Sequence, residues 1–463
     1  MPLPAPGIAR WVPLALIAGV TLLLWLSPRF FDASPAFVRG GILVVLTIVA
    51  WAFGFFAEAI TTLLFFTLAA VFEVAKPSVI FSGFESPAWW LVLSGAITSI
   101  AVERTTLGRR LAAFLLRRLT ASYRSALTAV ALAALGLAFV MPSSTARVML
   151  LMPIVLALAD RLGLAPGRPG RAGLAMTAAI VSTLPAATIL PANLAGLVLL
   201  GAADTIYGIK ISYGSYLLLH FPILGALKTL MLIEIIYRLF PEPQRLNPVP
   251  VQTAAHMSAD ERVVAAVLVI SLVLFVTDVV HGISLAWISL AAAIVCLLPG
   301  IGPLPAKSLS EMNVGMLIHV AGILSVGAVI ADTGLGATLS RELLSLSGIT
   351  PGHDVVNLAV ITAIFSVIGL LTTVIGLPVV LVPLAGDFAG ASGLPVLTVL
   401  MLQVVVNSIV FFPYQNFLIV IAMQYGDINL KDGVRFCLVQ TAVTVVVLFP
   451  LNYAWWSFLG YLP

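Results

Sequence analysis

From Trp11 to the C-terminus the chain is a succession of apolar runs separated by short polar breaks. Many runs approach the length of about 20 residues that a spanning helix needs. No intervening stretch could fold as a separate soluble domain. Of the 463 residues, 61% are hydrophobic and 9% charged, against roughly 45–50% apolar and 25% charged in soluble domains. The chain therefore reads as an all-α polytopic membrane protein. Its first run, Trp11 to Leu26, follows Arg10 but ends in "SPRFFD" rather than a small-x-small cleavage site, and so reads as a retained helix.

Other function classes have little to stand on. Cys296 and Cys437 lie in or beside apolar runs and read as small core residues. The five histidines are scattered, and the sequence has no zinc spacing, Walker loop, nucleophile elbow or HExxH. The expectation is no enzyme and no organic cofactor. A net charge of +4 is expected to mark cytoplasmic loops rather than nucleic-acid binding.

Apolar runs near 11–27, 38–55, 57–75, 88–118, 171–188, 214–240, 259–279, 282–298, 309–346, 394–410 and 431–458 are expected to be helical. Residues 125–160 and 353–389 are different. Each is about twice a short span and is interrupted midway, at "MPSST" and "GLLTTVIGLP". Such interruptions suggest re-entrant hairpins, whose irregular tips survive at membrane depth only when buried in protein or facing water. The runs 171–201 and 394–424 are broken at "LPAN" and "FPYQN" and pair naturally with the hairpins as discontinuous helices.

Because the broken elements occur twice, an internal repeat is expected. One offset of 228 residues carries "ERTTLG" onto "ADTGLG", and Ser144 and Thr145 onto Thr372 and Thr373. The division is an N-terminal helix in 1–37, a first repeat over 38–240, a linker over 241–257 and a second repeat over 258–463. Within the first repeat lie scaffold helices (38–118), hairpin 125–160, broken helix 171–201 and helix 214–240. The second holds scaffold helices (259–298), hairpin 353–389, broken helix 394–424 and helix 431–458.

Eleven transmembrane helices and two re-entrant hairpins result, in two inverted-topology repeats. Charge fits this arrangement with the N-terminus cytoplasmic in an inner (cell) membrane. Sixteen of the 23 Lys and Arg then lie inside, and Arg29, Arg39, Lys76, Lys210 and Arg341 outside. The other two, Arg147 and Lys228, fall within apolar segments.

The polar breaks are where a ligand could be held. A hairpin tip presents the N-terminal end of its second arm, whose free N–H groups favour an anion. Ser143, Ser144 and Thr145 add hydroxyls that can donate to a carboxylate or sulfate, or offer oxygens to a sodium ion. The alternative is that they cap the helix after Pro142. Pro191 with Asn193, and Pro413 with Gln415 and Asn416, would break their helices opposite the tips.

Arg147 sharpens the question, because a charge at membrane depth costs at least about 2.5–3.5 kcal/mol. No acid lies within one helical turn of it. It is expected to act at or near an anionic substrate, or in place of a coupling cation, with a distant structural partner as the alternative. Lys228 has Glu234 nearby and reads as structural, as do His319 and Glu58.

The pattern resembles the divalent anion/sodium symporter (DASS) family of dicarboxylate, citrate and sulfate transporters. "SPAWWLVLSGAITSIAVERTTLGRRLAAFLLRR" is similar to the family's segment before its first hairpin, and "MNVGMLIHVAGILSVGAVIADTGLG" to the second-half counterpart. The resemblance covers nearly the whole chain. It implies eleven spans and two hairpins, a homodimer, and a transport domain that moves past a scaffold as an elevator.

It further implies that the tips bind substrate and form sodium sites through a serine, asparagine, threonine motif. Here the first tip reads Ser143, Ser144, Thr145 and the second Leu371, Thr372, Thr373. Sodium, if bound, is expected at Ser144, Thr145 and Thr373, but the missing asparagines point to reduced or absent sodium dependence. Secondary transport of a small anion is thus the leading expectation. Symport, proton coupling and exchange stay open, beside a channel-like protein that has lost transport.

Overall fold

The computed structural model describes residues 12–27, 34–116, 122–242, 256–371, 374 and 376–462. Helix accounts for 79%, and no strand occurs among the described residues. Helix starts follow from local chemistry. Ser34 and Ser86 cap helices that open on Pro35 and Pro87, residues that have no N–H to leave unpaired. Ser122 and Ser258 form reciprocal capping boxes with Ser125 and Glu261. Several helices end on a left-handed glycine, among them Gly54, Gly208 and Gly393.

Four helices among the described residues are long and apolar enough to cross a membrane alone: Pro35–Phe53, Tyr213–Leu239, Val314–Asp332 and Leu430–Phe458. Shorter apolar helices surround them, including Glu58–Val71, Tyr123–Ala138 and Leu285–Leu297. Apolar side chains remain exposed around the outside, with Val280 at 87% and Phe53 at 73%. A surface so apolar suits lipid rather than water. The chain is a multi-pass membrane protein.

The centre is built from Pro169–Val181, Leu194–Tyr207, Val314–Asp332, Leu377–Ser392 and Val396–Val406. These helices are apolar on nearly every side, so they bury nearly every side. Because lipid tails are as apolar as leucine, helices in a membrane associate by close packing at small residues. Gly201 shows this: a Cβ there would lie 2.6 Å from Ala88 Cβ. At Gly322 an added Cβ would come within 2.2 Å of Thr62 Cγ2.

Two runs expected to be continuous are divided. Within 88–118, Pro87–Arg104 gives way to Leu107–Leu116; within 309–346, Val314–Asp332 gives way to Leu335–Ser347. The reason is a left-handed residue at each junction, Thr106 (φ 58°) and Gly334 (φ 78°), which stand 228 positions apart. For threonine this conformation costs about 1–2 kcal/mol, and its hydroxyl donates to Glu261 Oε1 at 2.8 Å.

The same spacing separates Phe221–Pro222 from Phe449–Pro450. The first pair opens the π-helical segment Phe221–Leu227, and the second directly follows the π-helical segment Thr444–Leu448. Pro222 cannot pair with the Leu218 carbonyl, which instead accepts from Trp455 Nε1 at 2.9 Å.

Candidate functional site

The first discontinuous helix runs Pro169–Val181, a 3-10 turn Pro185–Thr188, and Leu194–Tyr207. Pro185 and Pro191 interrupt the ladder, and the Leu190–Pro191 peptide is cis. Asn193 caps the second half: its Oδ1 accepts from Ala195 N at 2.8 Å. The expected hairpin segment packs beside it as Tyr123–Ala138 and Ser144–Arg161, joined through 139–143. Pro142 lies under Gly95, where an added Cβ would meet it at 3.2 Å.

The tip hydroxyls divide their labour. Ser143 caps the second arm, accepting from Ala146 N at 3.2 Å. Ser144 Oγ donates to the Ala192 carbonyl at 3.1 Å, which ties tip to break. Thr145 is exposed and its hydroxyl has no partner among the described residues.

Arg147 is fully buried. Its Nη2 donates to Ser144 Oγ at 2.9 Å, to the Ser182 carbonyl at 2.7 Å and to the Ala192 carbonyl at 2.9 Å, and Nη1 donates to the Met141 carbonyl. Nε has no partner among the described residues. Nη2 has two hydrogens for its three acceptors and shares one of them; with Nη1 that still makes about three charge-assisted hydrogen bonds, about 1.5–3 kcal/mol each, which outweigh the insertion cost of the charge. All four acceptors are oxygens, the atoms a hard cation takes as ligands. The guanidinium thus occupies the space between tip and break as a cation would, and no carboxylate pairs with it among the described residues.

The second discontinuous helix runs Val396–Val406, a 3-10 turn Pro413–Gln415, and Phe417–Tyr425. Asn416 caps the second half as Asn193 does, accepting from Leu418 N at 3.1 Å. Pro413 opens the turn. Gln415 does here what Arg147 does in the first half. Its Oε1 accepts from Phe411 N at 2.7 Å and Phe412 N at 2.9 Å, and its Nε2 donates to the Gly369 carbonyl at 3.0 Å. Tyr414 adds a bond from its hydroxyl to the Leu370 carbonyl at 3.0 Å. Thr372 and Thr373 lie outside the described residues.

Residues 8–462 match the model of the sodium:sulfate symporter transmembrane region. The chain belongs to this family. The symporter family is the one the sequence resembled, and its match spans both breaks and both tips. One relative is a membrane protein of Cupriavidus necator, 23% identical over 79% of this chain and 76% of its own length. Another is the sodium-dependent dicarboxylate transporter SdcS of Staphylococcus aureus, 25% identical over 73% of this chain and 71% of its own length.

Two cavities bear on how this symporter-family site works. Beside the second break a space of about 10 Å³ is lined by Ser366, Gly369, Asn407 and Gln415, roughly room for one water. Asn407 Oδ1 is buried there without a partner among the described residues. A much larger cavity, about 610 Å³, is lined by Leu91, Asp204, Lys210, Tyr216, Asp278 and Trp287, and none of Ser143, Ser144 and Thr145 lines it. It has the volume for a small ligand but lies away from the polar breaks.

Sequence reasoning missed four contributors. Met141, Ser182 and Ala192 act through main-chain carbonyls, which leave no mark in a sequence. Tyr207 inserts its hydroxyl into the helix around Pro383, donating to the Val382 carbonyl at 2.9 Å and accepting from Gly386 N at 3.0 Å. Lys228 meets the Ser408 carbonyl rather than Glu234, because Glu234 pairs with Arg124 and Arg238. His319 lies 3.8 Å from Glu58 and edge-on to Trp51, a packing role.

Proposed function

We propose that this chain is a secondary transporter of small anions, of the dicarboxylate, tricarboxylate or sulfate class, that works largely without sodium by exchanging one anion for another. One observation carries the reading: at the first break the oxygens of Met141, Ser144, Ser182 and Ala192 already hold the guanidinium of Arg147. A sodium ion at Ser144 would have to compete with a tethered charge for the same ligands. With the fixed charge inside, the loaded carrier has its cation paired with the anion, whereas an empty one would cross with an uncompensated cation, at the membrane cost noted above. Return with a second anion avoids that cost.

The wider arrangement belongs to the same reading. Two inverted repeats, 38–240 and 258–463, would cross an inner membrane with the N-terminus cytoplasmic and present both tips to one anion, moved elevator-fashion past scaffold helices that also join two copies into a homodimer. The 228-residue recurrences at Thr106 and Gly334 and at Phe221–Pro222 and Phe449–Pro450 support the repeats. The anion would be met by the exposed Thr145 hydroxyl and by the N-terminal ends of the second half-helices at Asn193 and Asn416, with Thr372 and Thr373 on the opposite tip. Kinship with SdcS favours a dicarboxylate.

A second reading, sodium symport through a single ion, is favoured by the cavity beside Asn407 and Gln415. Uptake of labelled succinate, citrate and sulfate into proteoliposomes separates the two. Exchange predicts stimulation by preloaded counter-anion and no response to a sodium gradient. Accumulation that requires inward sodium and ignores the counter-anion would overturn it.

A further inference from the structure

Lys228 begins the helical stretch Lys228–Leu239, immediately after the π-helical turn, and is 1% exposed. Its ammonium donates to the Ser408 carbonyl. That carbonyl lies just past Asn407, which ends the half-helix Val396–Val406. Terminal carbonyls of a helix carry about half a negative charge and lack intrahelical partners. At the first break the cap residue itself, Ser182 after Pro169–Val181, accepts from Arg147; at the second the acceptor is one residue beyond the cap. Each break therefore places a buried side-chain cation on a carbonyl at or just past the end of its first half-helix.

The two cations arrive by different routes. Arg147 comes from the tip facing its own break. The position 228 residues after it is Ile375, so the second tip offers no cation. Lys228 instead crosses from the last helix of the first half. No carboxylate pairs with it among the described residues, and Glu234, six positions on, is held by two arginines. Its charge is therefore not neutralised locally. The cavity lined by Asn407 adds a further point. Asn407, which lines it, adjoins the residue whose carbonyl meets the ammonium, and a sodium ion and an ammonium brought near one another oppose each other strongly in a low-dielectric interior.

We infer that Lys228 is the second fixed cation of this transporter: it holds the end of the second half-helix as a bound sodium ion would, and keeps the neighbouring cavity free of one. The chain then carries two covalent positive charges at its two breaks, enough to balance a divalent anion. This rests on the anion-exchange reading above.

The test compares wild type, Lys228→Arg and Lys228→Met. Two quantities are read: succinate exchange in sodium-free proteoliposomes, and the shift in thermal stability of the detergent-solubilised protein on replacing potassium with sodium. Lys228→Met is expected to lose about tenfold in sodium-free exchange, the equivalent of one hydrogen bond to a charged group. Sodium should then restore part of the rate and stabilise the variant, which it does not do for wild type. Lys228→Arg should keep the wild-type pattern.

Wild-type exchange in Lys228→Met, with no stabilisation by sodium, would overturn the inference. If Lys228→Met does not purify as a monodisperse species, Lys228→Gln replaces it, since its amide still donates to Ser408 without charge; the same sodium stabilisation is expected. Should wild type transport none of the anions, the functional reading fails, and the sodium-dependent stability of the variants still decides the role of Lys228.

Discussion

The two breaks are built alike but closed differently. In the first, residues 172–193 are buried almost without exception, and the bond between tip and break is made by a charged guanidinium with four oxygen acceptors. In the second, Phe412, Tyr414 and Phe417 are 40%, 62% and 51% exposed, and the bond is made by a neutral amide and a phenol. A polar tip at membrane depth needs its main chain paired, and either chemistry achieves that. At the first break the cation comes from the tip itself, whereas at the second Lys228 reaches the Ser408 carbonyl from another helix. Pairing the tip's backbone and placing a cation are thus separable: one side chain does both at the first break, and different side chains do them at the second.

Removing Arg147 should break the comparison most severely. Arg147→Ala leaves the Met141 and Ser182 carbonyls without their donor, at about 1–3 kcal/mol each, while Ala192 keeps the Ser144 hydroxyl, and it relieves a burial cost of about 2.5–3.5 kcal/mol. Folding should thus lose only a few kcal/mol, whereas sodium-free exchange should fall by a factor of ten or more. Freed carbonyls can accept an ion, so sodium should now stimulate uptake and raise the melting temperature. Arg147→Lys should rescue poorly, because an ammonium lacks the planar fork that reaches several acceptors. Unchanged uptake and an unchanged sodium response in Arg147→Ala would remove the first break's special status.

How far the site was legible follows from these residues. Arg147 was conspicuous because a charge in an apolar run carries a known cost, and Pro191, Asn193, Pro413 and Asn416 were conspicuous because proline removes a donor and asparagine caps a helix. The structure uses both asparagines as caps. The partners of Arg147 were not legible, since three of the four are carbonyls that any residue possesses. Lys228 was misleading for a related reason: Glu234 lay near in sequence, but competing arginines claimed it. In the fold, the apolar runs were plain, whereas the turn at Thr106 was hidden because threonine rarely adopts a left-handed conformation.

Gln415 is the next largest test. Gln415→Ala deletes three hydrogen bonds and leaves the Gly369 carbonyl and the Phe411 and Phe412 amides to find water. The neighbourhood is partly exposed, so the loss should be about 1–3 kcal/mol. Because no charge is removed, exchange should slow several-fold without acquiring a sodium response. A sodium response equal to that of Arg147→Ala would mean that Gln415, rather than a cation, keeps sodium from the second break. Thermal melts and uptake in sodium and in potassium distinguish these results.

The caps sharpen the comparison on a smaller scale. Asn193→Ala and Asn416→Ala each remove one acceptor from a half-helix start, worth about 1 kcal/mol. Asn193→Ala should cost more, since its surroundings are closed to replacement water. Equal destabilisation of the two variants in thermal melts would argue that water reaches both breaks alike.

Thr145→Val should change the fold least and is the most selective probe of where the anion sits. Thr145 is exposed and its hydroxyl has no partner among the described residues, so a near-isosteric replacement should alter stability by no more than about 0.5 kcal/mol. The neighbouring hydroxyls are engaged, Ser143 by Ala146 N and Ser144 by the Ala192 carbonyl. Thr145 is therefore the tip donor free to meet a carboxylate or sulfate oxygen. Losing that donor should weaken anion affinity by several-fold in a competition measurement while leaving the maximal exchange rate and the sodium insensitivity intact. Unaltered affinity would place the anion away from the first tip, with Arg147 acting on it only through its field.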